Sequence, residues 1–228
     1  IRNQRMVDYK VARENMIESQ IRPNGITDSR VIDAIAAVPR ELFVSPDKKS
    51  IAYMDEDIML DGLGSSAPRH LMEPMAFARL VQLAEIGPDD FVLDVGAGSG
   101  YSIAVVAHLA QSAVAIEEDA ALAEHASATL DQLEISNAAV LNAPHGQGCP
   151  DEAPFDAIII NGRVPLVPQN LLDQLKEGGR LAAVVGDDPL AQAQLWTRHG
   201  DTFAKLVSFD ATISPLPGIE AERPGFTF

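Results

Sequence analysis

Gly96-Ala97-Gly98-Ser99-Gly100-Tyr101 follows Phe91-Val92-Leu93-Asp94-Val95 without a break, so an apolar run carrying one acid enters a turn with three glycines in five positions. The run reads as a buried parallel strand, and the turn as a place where main-chain N–H groups meet a ligand directly. Glycines there can take positive φ or let a ligand approach the backbone, and a helix begun near Tyr101 aims its unpaired N–H groups at the same spot. Glu117 ends the next apolar run, nineteen positions after Gly98. A carboxylate at that place can accept both hydroxyls of a ribose. The chemistry these residues suit is therefore nucleoside binding. Glu118 adjoins the acid, and Glu118-Asp119 reads as a solvated helix start.

The order of the glycines bears on which nucleoside. The dinucleotide fingerprint is G-x-G-x-x-G, whereas here the third glycine comes one place early, which favours S-adenosylmethionine (SAM) over NAD. Glu117 does not choose between them, because both carry a ribose. For Asp94 two roles stand open, facing the reaction centre or receiving N–H groups from the glycine turn; the second is the favoured expectation.

These residues need a scaffold that brings strand ends together. Val11 to Gln20 reads as a helix ended by Pro23-Asn24-Gly25, and Thr27 or Asp28 can cap a second helix carrying Val31, Ile35 and Val38 on one face. From Glu41 to Pro74 the text is irregular and partly acidic, with Ile51, Tyr53, Ile58 and Leu60 favouring an ordered cover. A helix from Pro74 precedes strand Phe91–Val95. Then follow a helix over Ser102–Ala110, strand Ala113–Glu117, a helix with Leu122, Ala126, Leu130 and Leu133, and strands Ala138–Asn142 and Ala157–Asn161. A helix over Gln169–Leu175 closed by Gly178-Gly179, and strand Arg180–Val185, complete the alternation. His199-Gly200-Asp201 signals a hairpin between Gln192–Arg198 and Thr202–Phe209. Trp196, Phe203 and Phe209 read as packing residues. The expected fold is α/β: a doubly wound, mostly parallel Rossmann-like sheet with an antiparallel C-terminal edge and an N-terminal helical and loop cover. The expected division is residues 1–73 as cover and 74–228 as the ligand-binding domain, one compact unit overall.

Composition narrows the function. A net charge of −16 and a pI near 4.5 repel phosphate backbones and anionic lipid, so no nucleic acid and no membrane partner is expected. No apolar run approaches the roughly 20 residues that span a bilayer, and no leader opens the chain, which gives a cytoplasmic expectation. Cys149 stands alone and reads as a passive thiol, and the five histidines lack metal-ligand spacing, so no metal site is expected.

Over Gln20 to Gly218 the chain resembles the protein-L-isoaspartate O-methyltransferases, SAM-dependent enzymes that methylate the β-linked aspartyl carboxylate of damaged proteins. The likeness is carried by AVPRELFV, AYMDEDIMLDGLG, VLDVGAGSGY, AIEE, EAPFDAIII, VPQNLLDQLKEGGRLAAVVG and ISPLPG. It implies SAM as cofactor, isoaspartyl peptides or proteins as substrate, and a cofactor site of Asp94, Gly96, Ala97, Gly98, Ser99, Gly100, Tyr101, Glu117, Glu118, Pro144 and His145. Three departures stand out. The family's Thr-Ile-Ser before a helix-opening proline aligns with His70-Leu71-Met72, so the hydroxyl taken as the active-site group is replaced by Met72, and the alternative expectation is a SAM-dependent methyltransferase with a different acceptor or a SAM-binding module without turnover. The Gly-Asp-Gly whose acid meets the adenine is Ala143-Pro144-His145, which leaves backbone and ring packing to hold the base. The Thr-Ala-Ala after the fourth strand is Asn161-Gly162-Arg163. Arg69, His70 and Arg163 are the candidates for holding an acceptor carboxylate.

Overall fold

The computed structural model describes residues 8–65 and 68–219. The start of the 1–73 segment and the end of the 74–228 segment lie outside these.

Asp8 caps helix α1 (Tyr9–Met16), accepting the N–H groups of Lys10 and Val11. The helix expected over Val11–Gln20 is in fact shorter. It loosens into a π turn over Ile17–Ile21 and a 3₁₀ turn over Arg22–Asn24, ending on Gly25 at φ 83°. Asp28 caps α2 (Ser29–Ala37), whose Val31, Ile32 and Ile35 are buried. The irregular stretch after it contains a two-residue ladder that sequence periodicity cannot reveal, β1 (Ile58–Met59) antiparallel to β2 (His70–Leu71). Pro74 opens α3 (Pro74–Leu83). Two acids of the cover reach its first turn from a distance: Asp57 accepts the Glu73 N–H at 2.8 Å and Asp55 accepts the Met75 N–H at 3.1 Å. Negative charge at a helix N-terminus is favourable, which explains why this cover is acidic there.

The alternation that follows is β3 (Phe91–Val95), α4 (Tyr101–Ala107), β4 (Ser112–Glu117), α5 (Ala120–Gln132), β5 (Ala138–Asn142), β6 (Phe155–Val164), α6 (Gln169–Asp173), β7 (Leu175–Val185), β8 (Gln192–His199) and β9 (Thr202–Asp210). One seven-stranded sheet has the order β5-β4-β3-β6-β7-β8-β9, parallel from β5 to β7 and antiparallel at β8 and β9. The expected architecture is met, and two boundaries need correction. Gly178-Gly179 does not close a helix: α6 ends at Asp173, and the glycines lie inside β7. There the register with β6 shifts between Phe155 and Ala157. Strand β6 also runs past Asn161, so Asn161, Gly162 and Arg163 sit in it rather than after it.

Two apolar layers cover the sheet faces. One contains Met16, Ile21, Ile35 and Phe43 of the N-terminal segment together with Phe77 and Tyr101. The other contains Leu93, Ile116, Phe155, Ile158 and Leu171. Each fully buried side chain of this size contributes roughly 1.5–3 kcal/mol. Cys149 is buried in the second layer, where burial pushes its thiol pKa up. Among the described residues no helix is long and apolar enough to cross a membrane. The chain leaves β3 for β4 and β5 on one side and returns to β6 on the other, so the crevice over the C-terminal ends of β3 and β6 is the switch point where such sheets bind ligands.

Candidate functional site

At that crevice the glycine turn is fixed from below. The N–H groups of Gly96 and Ala97 donate to the Ile116 carbonyl of β4 at 2.9 and 3.2 Å, and the Gly98 N–H donates to Glu117 Oε2 at 2.7 Å. Gly96, Gly98 and Gly100 all have positive φ, as the turn requires. Gly100 serves packing as well: a Cβ there would fall 2.8 Å from the Cβ of Ala126 on α5. Tyr101 ends the turn inside the core, its ring 5.5 Å from Phe43 and 5.4 Å from Phe77. The Ser99 hydroxyl is buried without a partner.

Glu117 is fully buried at the end of β4. Arg69, 3% exposed, donates from Nη2 to Glu117 Oε2 at 2.8 Å and from Nε to Oε1 at 3.3 Å, and Nη2 also reaches the Gly96 carbonyl at 2.9 Å. The Asp119 N–H donates to Oε1 at 3.1 Å. Burial would raise the Glu117 carboxyl pKa, but the His145 ring and the Arg69 guanidinium hold it well below the usual carboxylate range. Asp119 in turn caps α5. Glu118 lies half-exposed beside His145. His145 is buried: its Nε2 lies 3.4 Å from Glu117 Oε1 and 3.1 Å from the Glu118 main-chain nitrogen, and its Nδ1 lies 2.8 Å from the Pro217 carbonyl. Pro144 precedes the single turn that presents this ring.

Asp94 corrects the sequence expectation. It receives no N–H group from the glycine turn; the Ser102 hydroxyl donates to Oδ2 at 2.6 Å and the Asn161 amide donates to Oδ1. Burial pushes its carboxyl up to about 7 against these two hydrogen bonds. A raised acid in the folded state keeps its proton after the unfolded chain has lost it. Stability is therefore full below about pH 4 and falls as pH rises to about 7, on the order of 4 kcal/mol for this group. Urea midpoints of wild type and Asp94→Asn measured across that range are expected to diverge, with the wild type losing stability more steeply; parallel curves would count against a titrating Asp94.

The second half of the site is a cavity of about 10 Å³ lined by Asp57, Arg69, His70, Met72, Asn161 and Ser214 among others, with a neighbour of about 20 Å³ reaching Gly96 and Tyr101. Each has room for roughly one water. Met72 is 7% exposed, and its carbonyl accepts Arg40 Nη2 at 2.6 Å. Arg40, fully buried, also donates to the Ala52 carbonyl and lies over the Tyr101 ring at 4.8 Å, so it ties the cover to the loop before α3. Burial lowers the His70 pKa. His70 is thus neutral at pH 7 and offers a hydrogen bond rather than a charge; its Nδ1 and Asn161 Oδ1 are buried without partners at this cavity. Arg163 is turned away: its guanidinium donates to the Ile213 and Gly186 carbonyls, both at 3.3 Å. Glu73 behind Met72 has its carboxyl pushed up to about 7 by burial and by Asp55 and Asp57.

A family model described as protein-L-isoaspartate(D-aspartate) O-methyltransferase matches residues 11–213. The chain belongs to this family. Protein-L-isoaspartate O-methyltransferase 1 of Syntrophobacter fumaroxidans is 40% identical over 195 residues, 86% of this chain and 88% of that protein. A solved protein-L-isoaspartate O-methyltransferase aligns with a TM-score of 0.78 at 23% identity, covering 90% of this chain and 66% of that one. A Plasmodium falciparum structure of the same description, in complex with S-adenosyl-L-homocysteine (SAH), gives 0.73 at 21%, covering 91% and 97%. At such identities the solved structures speak to the fold alone.

The methyl donor of the protein-L-isoaspartate O-methyltransferases is SAM, and the residues here fit its nucleoside chemically. Positive-φ glycines line the turn, and a buried acid stands at the end of the neighbouring strand. The space, however, is held by the chain's own side chains. A Cβ at Gly96 would fall 2.5 Å from Leu216 Cδ1 and one at Gly98 2.9 Å from Leu60 Cδ1, while Arg69 covers Glu117. These three side chains come from the loops around the sheet. Leu216, Asn161, Ser102 and Arg40 carried no role in the sequence reading. Asn161 and Ser102 had no signal there, because what marks them is a hydrogen bond to Asp94 from 67 and 8 positions away. The Arg of AVPRELFV could have been singled out, since a cation in an apolar run is costly to bury unless it binds something.

Proposed function

We propose that this chain is a SAM-dependent carboxyl methyltransferase acting on isoaspartyl residues of damaged peptides and proteins. The observation that supports it most is the glycine turn set against a buried Glu117 at the sheet's switch point, in a chain of this family. Gly96 to Gly100, Glu117 and the His145 edge are the residues that would hold the donor, and Asp94 supports the turn through Ser102. When bound, the donor supplies a sulfonium methyl group, open to in-line attack. An aspartyl carboxylate with a pKa near 3.9 is already anionic at neutral pH, so no general base is needed. The chain's task is alignment, which in well-oriented intramolecular models is worth up to roughly 7–11 kcal/mol. Met72 and His70, fixed by the Arg40 bond to the Met72 carbonyl, would shape the acceptor end.

The test is methanol release. An isoaspartyl peptide incubated with labelled SAM is expected to give base-labile methyl ester, and the same peptide with ordinary aspartate none. Retained SAH binding without ester would remove isoaspartate as the acceptor. Hydrogen bonds to a charged group are worth about 1.5–3 kcal/mol, so Met72→Ser, which restores a hydroxyl beside the acceptor, is expected to raise the rate about tenfold or more. An unchanged rate in a folded variant would show that residue 72 does not face the carboxylate.

A further inference from the structure

Arg69 belongs to two places at once. Its guanidinium is bonded to Glu117, and its side chain is the one cation lining the small acceptor cavity among the described residues. An ionised carboxylate has about four lone-pair positions. On Glu117 they meet four N–H donors within 3.3 Å: Arg69 Nη2 and Nε and the main-chain N–H groups of Gly98 and Asp119. Two ribose hydroxyls cannot be accepted while all four stay. The two main-chain donors are fixed by the turn and by the start of α5; the guanidinium is on a rotatable side chain. Its main chain is anchored where the Leu60 N–H donates to the Arg69 carbonyl at 2.7 Å, next to a ladder of only two residue pairs.

We propose that Arg69 is a placeholder in the nucleoside subsite, displaced from Glu117 by the sugar of the methyl donor, and that the freed guanidinium then becomes the cation that holds the acceptor carboxylate. This rests on the SAM-dependent reading above. It makes donor binding come first and acceptor binding second, because the cation that holds the acceptor is engaged until the donor arrives. It also gives the neutral His70 and the outward Arg163 a replacement as the acceptor's counter-charge.

Arg69→Gln removes the charge and keeps a polar side chain. SAH is expected to bind it more tightly than wild type by about tenfold, within the range of ordinary coupling between sites. The KM for an isoaspartyl peptide is expected to rise by a similar factor, and Arg69→Lys should restore much of the KM. A merely structural arginine would not improve one ligand while impairing the other. Removing half of a buried pair can unfold a protein, so a second measurement uses the wild-type chain. The Arg69 side-chain Nε–H resonance, identified by its loss in Arg69→Lys, should be protected from exchange without ligand and exposed on saturation with SAH. Equal or weaker SAH binding by a folded Arg69→Gln, or an Nε–H signal indifferent to SAH, overturns the placeholder. Binding by the variant and not by wild type supports it, whereas no SAH binding by either sinks the donor reading itself.

Discussion

Glu117→Ala is expected to abolish methyl transfer and to destabilise the fold by about 3–5 kcal/mol, the cost typical of leaving one member of a buried ion pair without its partner. Arg69 at 3% exposure would keep its charge with no acid beside it, and the N–H groups of Gly98 and Asp119 would lose their acceptor. Glu117→Gln preserves the shape and one oxygen acceptor. It should lose SAH affinity with a smaller loss of stability, which separates ligand binding from folding. Urea denaturation and calorimetric titration measure the two effects independently. An alanine variant as stable as wild type would mean that Arg69 finds other partners, and that the buried pair does not organise this corner of the sheet.

Arg40→Ala carries the second large effect, a loss of about 3–5 kcal/mol comparable to other large-to-alanine changes in cores. The side chain is fully buried and its truncation leaves a void over the Tyr101 ring. It also leaves the carbonyls of Ala52 and Met72 without donors. Each unsatisfied buried group costs roughly 1–3 kcal/mol, although relaxation toward water recovers part of it. Because the Met72 carbonyl is one of the two, the loop that shapes the acceptor end should loosen. The expected kinetic signature is a fall in kcat for the isoaspartyl peptide with SAH affinity largely kept. Arg40→Met fills the void and leaves the same carbonyls bare, so it should recover stability and not kcat. Recovery of both by methionine would show that Arg40 acts by volume alone.

What could be read in the sequence was what repeats along it. Phe91–Val95 is an apolar run with Asp94 as its fourth residue, Ala113–Glu117 is an apolar run ending in an acid, and the spacing from Gly98 to Glu117 sets that carboxylate beside the turn. Contacts set by the third dimension were not legible. Arg69 meets Glu117 across 48 positions through a ladder too short to show a period. Asp94 was assigned to the turn amides because a buried acid next to glycines has that option; Asn161, on a strand read as ending there, supplies the donor instead. Gly178-Gly179 misled for a related reason. Paired glycines mark a helix end and a shifted strand register equally well, and only the pairing of β6 with β7 decides. His70 and Arg163 read as holders of an acceptor carboxylate from their places in the sequence, while burial and carbonyl partners determine what each can offer.

The contact between Gly100 and α5 ties a distant residue to the reaction. Because the main chain of the turn rests against Ala126, with no room for a further carbon between them, position 126 cannot drift to a bulkier residue without shifting the floor under the nucleoside. A helix on the far side of the turn thereby sets the level of the site's floor, through the one methyl group that faces Gly100.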